Sequence, residues 1–412
     1  MPAMFRRVLA VVMGVALAGC GGDDTDGSSG TAGSGGSGQA GGAADAGGEA
    51  GSGATAGSGG SAGSGGGAGS AGTGGSAGSG ASAGAAGAAG AAGAAGNAVL
   101  PIVPGQNPDI FGMSTPAGSG RHLDPPQTQV IKVTNLGNAG SGSLRAALAE
   151  TGPTTVVFEV SGTITLESSL SIGPYTTIAG QTAPSPGITL RGNEIHAGND
   201  VLVQHIRVRV GDDPDGPDYN ERDALKTGAS STNVVFDHCS FSWSVDELGD
   251  SRCSDCAFTH NIFAEALHSP LHPKGPHSRA LLAHGYAATE NQNVAIIGNL
   301  FVHNMTRNPS VLGFSRVLVV NNLLDSVNAG LKAGDSGNIG LVTFDKNVVK
   351  RAGSPMVADA DNAATRIYFG PDNEVNGSTF ASVDDVWNSV STPFGGVPDE
   401  NRASSPPVWI SS

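Results

Sequence analysis

The side chains of this sequence that could do chemistry gather between residues 223 and 308. Asp223, Asp246 and Asp250 offer carboxylate oxygens, the last two four residues apart in a run that also holds Glu247. Carboxylates brought to one face suit a hard cation such as Ca2+, which takes oxygen ligands. Left apart in turns, the same residues are simply solvated. Residues 268–286 are rich in histidine (His268, His272, His277 and His284) and include Lys274, and Arg307-Asn308-Pro309 follows. The forked guanidinium of Arg307 suits a carboxylate partner, and the ammonium of Lys274 suits negative charge that develops during a reaction. The histidines match no compact zinc spacing. With 21 basic and 36 acidic residues the formal charge is −15. That balance excludes general nucleic-acid binding, and it would repel a polyanion, so any site for an acidic ligand must be locally cationic.

The elements that must position these groups are visible as a repeat. A short pattern of β-branched and aromatic residues, closed by a polar residue and two more apolar ones, recurs at residues 234–241, 257–263, 294–301, 317–324 and 342–349. Aligning Cys239, Asn261, Asn299, Asn322 and Asn347 gives steps of 22, 38, 23 and 25 residues. One strand-turn-strand unit per repeat of about two dozen residues, with no long helix between, predicts an all-β solenoid, a right-handed parallel β-helix. An asparagine at one turn of every coil can form an amide ladder along the stack. A sandwich would need hairpin turns, and a propeller a period nearer 40. Segments 154–166, 176–179, 187–191 and 201–210 continue the rhythm. Residues 140–150, a serine cap followed by Leu144-Arg145-Ala146-Ala147-Leu148, predict a short helix that plugs the N-terminal end. The long step between Asn261 and Asn299 holds roughly fifteen extra residues, and insertions in solenoids project as loops on one face, often the binding face.

The start of the chain sets its compartment. Arg6 and Arg7 precede an apolar run over residues 8–18, too short to span a bilayer, which predicts a signal peptide over residues 1–19. The run ends in Leu17-Ala18-Gly19-Cys20, which resembles a bacterial lipobox and implies lipidation of Cys20, hence a membrane anchor. Gly21, where an aspartate would favour the inner membrane, points to an outer-membrane lipoprotein facing the cell surface. From Cys20 to residue 97 the chain is nearly all Gly, Ala and Ser, which cannot bury enough apolar surface to offset chain entropy and predicts a disordered tether. The remaining residues 98–412 suffice for one large core. Cys239, Cys253 and Cys256 are an odd set, taken as structural, with pairing left open. The final 25 residues, rich in Pro and Ser, are expected to pack outside the coil.

Six ordered motifs together resemble the pectate lyase superfamily, specifically polysaccharide lyase family 1. They are Val133-Thr134-Asn135-Leu136 with Gly142-Ser143-Leu144-Arg145, Thr177-Ile178-Ala179-Gly180-Gln181-Thr182, Asp223-Ala224-Leu225, Asp237-His238-Cys239-Ser240, His272-Pro273-Lys274-Gly275 and Arg307-Asn308-Pro309. They span nearly all of residues 128–350. The resemblance implies a lyase that cleaves an acidic plant polysaccharide, pectate or a related uronan, by β-elimination with Ca2+. It maps the calcium carboxylates onto Asp223, Asp246 and Asp250, with Glu247 as a substitute. Arg307, eight residues after Asn299, becomes the base that takes the proton, or else only a partner for the substrate carboxylate. Lys274 becomes a catalytic and substrate-binding cation, with His272 and Asn308 also at the substrate. His238 is read as structural, and the protein as a monomer. Where many members carry further arginines after the first, this chain has Ser310 and Leu312. Two other readings are a non-catalytic polysaccharide-binding β-helix, which an anchor and tether would suit equally, and a hydrolase, which would need paired carboxylates across the bond.

Overall fold

A computed structural model of the chain describes residues 116–121, 128–214, 220–290, 293–333, 340–358, 366–379, 381–382, 384 and 402–407. The expected signal peptide, Cys20 and tether lie outside the described residues, as does most of the C-terminal stretch. Strands stack in parallel into three sheets of ten, nine and eight strands, each coil giving one strand to each sheet over most of the length, as in a right-handed parallel β-helix. A typical coil runs Thr232–Asp237, Ser240–Ser242, Glu247–Ser251, and the next runs Ser254–Thr259, Ile262–Ala264, Arg279–Gly285.

The repeat read from sequence builds the first two sheets. Equivalent residues pair directly, so that Phe236, Phe258, Ile296, Val319, Phe344 and Phe369 form one column. All six are fully buried or nearly so. A second column stacks Phe241, Phe263 and Phe301 with ring centroids 5.2 and 5.1 Å apart. Burying each such ring contributes about 1.5–3 kcal/mol against chain entropy. Because the coils superpose, like sits on like, and a solenoid grows by repeating one packing solution.

The polar turn position becomes the expected ladder, and it is one rung longer than the sequence indicated. Each Asn Oδ1 accepts the backbone N–H of its counterpart one coil earlier: Asn261 from Cys239, then Asn299 from Asn261, Asn322 from Asn299, Asn347 from Asn322 and Asn373 from Asn347, at 2.8–2.9 Å. Each Nδ2 donates to a backbone carbonyl, as Asn299 does to Phe258 at 2.8 Å. The residue just before each rung from Cys239 to Asn347 turns through the left-handed region, with φ of 55° at His238, 55° at His260, 70° at Gly298, 56° at Asn321 and 56° at Lys346, so a turn there costs a non-glycine residue some strain. Replacing Asn299 by alanine strands the buried Asn261 N–H and the Phe258 carbonyl together. With each orphaned group costing about 1–3 kcal/mol, a loss of about 3 kcal/mol is expected, read as a lowered urea midpoint at unchanged slope.

The N-terminal plug forms as expected. Leu144–Leu148 is helical, Ser143 caps it by accepting from Ala146 N, and Leu144 and Ala147 are buried. At the other end, Ala403 N donates to the Ile367 carbonyl at 2.9 Å, so the described piece of the tail lies against the last coils. Cys253 and Cys256 are joined by a disulfide, while Cys239 is single and buried. Burial pushes the Cys239 thiol up to about 12. In the native protein at pH 8 its peptide is therefore expected to resist alkylation and to label fully only after unfolding, as peptide mass mapping would show.

Candidate active site

The third sheet, with strands Leu225–Thr227, Glu247–Ser251, Arg279–Gly285 and Ser310–Gly313 side by side, was not legible in the repeat, and the chemistry sits where the chain turns into it. Backbone bonds stack these entry corners coil upon coil. Ala224 N donates to Glu247 O at 3.0 Å, Asp246 N to Arg222 O at 3.1 Å, and Leu281 N to Arg307 O at 2.8 Å. Asp223, Asp246, Glu247 and Arg307 are separated by up to 84 residues in sequence yet occupy neighbouring corners.

Asp223, Asp246 and Glu247 each place a carboxylate oxygen within 4.8 Å of the others. Asp223 Oδ1 also accepts the Glu247 backbone N–H at 2.7 Å, and its other oxygen lies 3.2 Å from Lys226 Nζ. Burial and the neighbouring Glu247 charge push the Asp223 carboxyl well above the usual carboxylate range. Burial likewise raises Glu247, to about 7, against the opposing pull of Arg307. Burial also acts to raise Asp246, but its hydrogen bond with Glu247 and the charges of His277, His272 and Arg279 win, leaving it below its ordinary value. Three carboxylates so crowded resist ionising together unless positive charge is close.

That charge comes from two arginines. Arg307 Nη1 donates to Glu247 Oε1. Arg279 Nη1 lies 3.7 Å from Asp246 and 3.8 Å from Glu247. Arg279 was missed at the sequence level, although it begins the strand that follows the inserted loop. Lys226 was missed too; it joins Asp223 to Glu194, at 3.2 and 3.0 Å.

Several expected site residues sit elsewhere than the motifs suggested. Asp250 is not one of the three clustered carboxylates. It lies further along its strand, where its Oδ1 takes the Nε2 of His284 at 2.7 Å, and Glu247 completes the cluster in its stead. Asn308, expected at the substrate, is fully buried: its Oδ1 accepts from Asn304 and its Nδ2 donates to the Ala329 carbonyl at 2.8 Å, a second set of amide rungs. His272, also expected at the substrate, is buried under the loop with its ring stacked on His277 and its Nε2 3.5 Å from Asp246. Burial holds both imidazoles below their ordinary pKa. Lys274 is exposed on the loop, its backbone N–H donating to His272 Nδ1 at 3.1 Å. A deep ligand position was legible for the carboxylates because acidic residues cluster in sequence; burial of Asn308 was not, because its partner Asn304 carries no repeat signal.

No family model matches the chain. Over 235 residues it is 36% identical to the probable pectate lyase C of Emericella nidulans, covering 56% of this chain and 50% of that protein. Over 253 residues it is 32% identical to the probable pectate lyase C of Aspergillus flavus, covering 60% and 54%. Among solved structures it resembles the major cedar pollen allergen at 17% identity and a TM-score of 0.45, covering 71% of this chain and 88% of that one. A Bacillus pectate lyase solved with trigalacturonate gives 15% identity and a TM-score of 0.45, covering 68% and 98%. At those values neither structural likeness bears on function. The chain spans about half the length of the curated relatives it matches, and over that span its sequence is similar to fungal proteins of the pectate lyase superfamily.

Proposed function

We propose that this protein is a polysaccharide lyase that cleaves pectate or a related uronan by β-elimination, assisted by Ca2+. The observation that carries the reading is the buried group of Asp223, Asp246 and Glu247 facing Arg307 and Arg279 at one corner of the β-helix, in a chain similar to proteins named pectate lyase C. The donor set fits the cation: all three groups offer oxygen, they are crowded together, and Asp223 is pushed up by burial and by the neighbouring Glu247 charge, which a cation would offset. Asp223, Asp246 and Glu247 would hold Ca2+, with Asp250 left to His284.

Elimination across a uronate removes the proton on the carbon beside a carboxylate, a proton that is very weakly acidic while that carboxylate keeps its charge. When bound, the cation neutralises the uronate carboxylate and so acidifies the neighbouring C–H. On this reading Arg307, which contacts the carboxylate cluster through Glu247, takes the proton. A guanidinium is normally fully protonated, and that of Arg307 donates to the carboxylate of Glu247, one of the groups that would hold Ca2+. Arg279, fixed beside Asp246, supplies a second cation against the polyanion. Lys274, on the exposed loop, meets substrate rather than the buried group, and its ammonium favours negative charge developing near the loop.

On this reading the substrate is an acidic plant polysaccharide, the protein works as a monomer, and a lipid on Cys20 with the Gly/Ala/Ser tether presents it outside the cell from the outer membrane. Release of unsaturated uronate from polygalacturonate, followed by its ultraviolet absorbance, tests the activity. Incorporation of a labelled fatty acid that disappears in Cys20→Ser tests the anchor, and a cytosolic, unlabelled product would overturn it. Shortening the inserted loop by removing residues 273–276 should raise KM and lower kcat together, since it removes Lys274, which serves both binding and developing charge.

A further inference from the structure

A second group of metal-binding side chains lies at a different corner, where the first sheet turns into the second. His238 and His260 occupy equivalent turn positions in consecutive coils, both at φ of 55°. Stacking of the coils therefore places one imidazole over the other, with centroids 4.8 Å apart, and His205 one coil earlier extends the stack at 5.1 Å. Both rings turn Nδ1 toward the same oxygen, Oδ1 of Asp237, at 2.9 Å from His238 and 3.4 Å from His260. The carboxylate itself is buried and held from behind. Thr259 Oγ1 donates to Oδ1 at 2.8 Å and Gln204 Nε2 to Oδ2 at 2.9 Å. The two histidines are the solvent-facing members, with side-chain exposures of 40 and 47%.

Asp237 Oδ1 is thus asked to serve three donors at once, and the third sits too far for a good bond. A single cation in place of the two imidazole protons would satisfy both nitrogens and the oxygen together. The spacing suits one: a tetrahedral ion with bonds of about 2.0–2.1 Å holds its ligand atoms about 3.3 Å apart, and the two measured separations bracket that value. Two imidazoles with one carboxylate select a borderline transition ion over Ca2+, whose ligands are oxygens. The Thr259 and Gln204 bonds supply the outer support that fixes a ligating carboxylate, and the exposed side leaves room for water or a further donor.

We propose that Asp237, His238 and His260 form a transition-metal site of the Zn2+ or Cu2+ class, separate from the cluster around Asp223. His238 then carries more than the structural part its position on the coil suggests. This site does not depend on the lyase reading, because its test reads metal binding and not turnover.

The experiment is calorimetric titration of Zn2+ into the chelator-treated full-length protein, with Ca2+ in excess throughout so that oxygen sites are filled. One equivalent is expected to bind. His238→Asn and His260→Asn, chosen because asparagine tolerates the left-handed turn, should each weaken binding by at least about tenfold while the release of unsaturated uronate is unchanged. On the unaltered protein, the electron paramagnetic resonance of one equivalent of Cu2+ should show coupling to two imidazole nitrogens, which gives a reading that needs no variant to fold. The proposal is overturned by a folded protein that gives no Zn2+ heat, by an equivalent that survives both substitutions, by one that disappears instead in His277→Asn, or by a copper spectrum without imidazole coupling.

Discussion

Arg307→Ala is expected to lower the turnover of polygalacturonate by about 10³-fold, the middle of the range in which a positioned proton-transfer group acts. The geometry states why the effect should fall on the chemical step. Arg307 touches Glu247, which belongs to the carboxylate cluster, and its backbone carbonyl is tied to Leu281 in the adjacent coil. The guanidinium is therefore fixed at the corner where the uronate must sit if its carboxylate is to meet a cation on Asp223, Asp246 and Glu247. KM should change far less than kcat, since Arg279 and Lys274 remain to hold the polyanion. Arg307→Lys keeps the charge but not the planar fork, and it should recover little of the rate. A residue that only paired with substrate would give the opposite split, a large rise in KM with kcat retained, and that outcome would remove Arg307 from the chemistry. Losing the arginine also leaves Glu247 with less compensation. Because Arg279 stays 3.8 Å away, the cost in stability should be below the roughly 3–5 kcal/mol of fully orphaning a buried charge, and circular dichroism should show an intact β-helix.

Asp223→Asn carries the second large effect, on the cation. The substituted amide keeps an oxygen that can accept the Glu247 backbone N–H, so the corner should stay folded. It removes one charge from the group of three, however, and with it the ligand most deeply buried among them. The Ca2+ concentration for half-maximal activity is expected to rise by about 100-fold or more, since loss of an outer support alone costs 10–100-fold in metal sites. Direct calorimetry of Ca2+ should show the same shift without any substrate present. If Ca2+ bound equally well to Asp223→Asn and to the parent protein, the cation would have to sit elsewhere, and Asp250 with His284 would be the next group to test.

What could be read from the sequence follows from which features repeat. The first two sheets were legible because Val, Ile and Phe recur in step with the coil, and because Asn261, Asn299, Asn322 and Asn347 mark one turn of each. Asn373 escaped because it follows Phe369 by four residues where its predecessors follow the matching column residue by three, and because Glu374 stands where Val348 does one coil earlier. The third sheet was not legible, although it carries the site. Its strands are as short as Leu225–Thr227 and as polar as Glu247–Ser251, whose Glu-Leu-Gly-Asp-Ser reads as a turn. Such strands are held by the neighbouring coils and not by their own composition, so no local signal announces them.

The same cause explains the mixed outcome at the site. Asp223 and Asp246 could be singled out because acidic residues near an irregular step are conspicuous. The choice between Glu247 and Asp250 turns on which of two residues three apart reaches back to Asp223, a matter of strand register that the sequence does not display. His272 and Asn308 stand inside ordered motifs, yet a motif marks a position and not the direction of its side chain. Both point inward, one onto His277 and the other onto Asn304. Arg279 has no motif at all and is brought to Asp246 only because the inserted loop ends at that corner.

On the proposed reading the carboxylate cluster and Arg307 together make a Ca2+-assisted lyase. The most direct test follows the ultraviolet absorbance of unsaturated uronate released from polygalacturonate by the purified protein, with Ca2+, with a chelator, and with Arg307→Ala. Absorbance is expected to rise with Ca2+, to stop with chelator and return when Ca2+ is restored, and to rise about 10³-fold more slowly in the variant. A folded protein that binds polygalacturonate and other uronans but releases no unsaturated product, at any Ca2+ concentration, would contradict it and leave a polysaccharide-binding β-helix in its place.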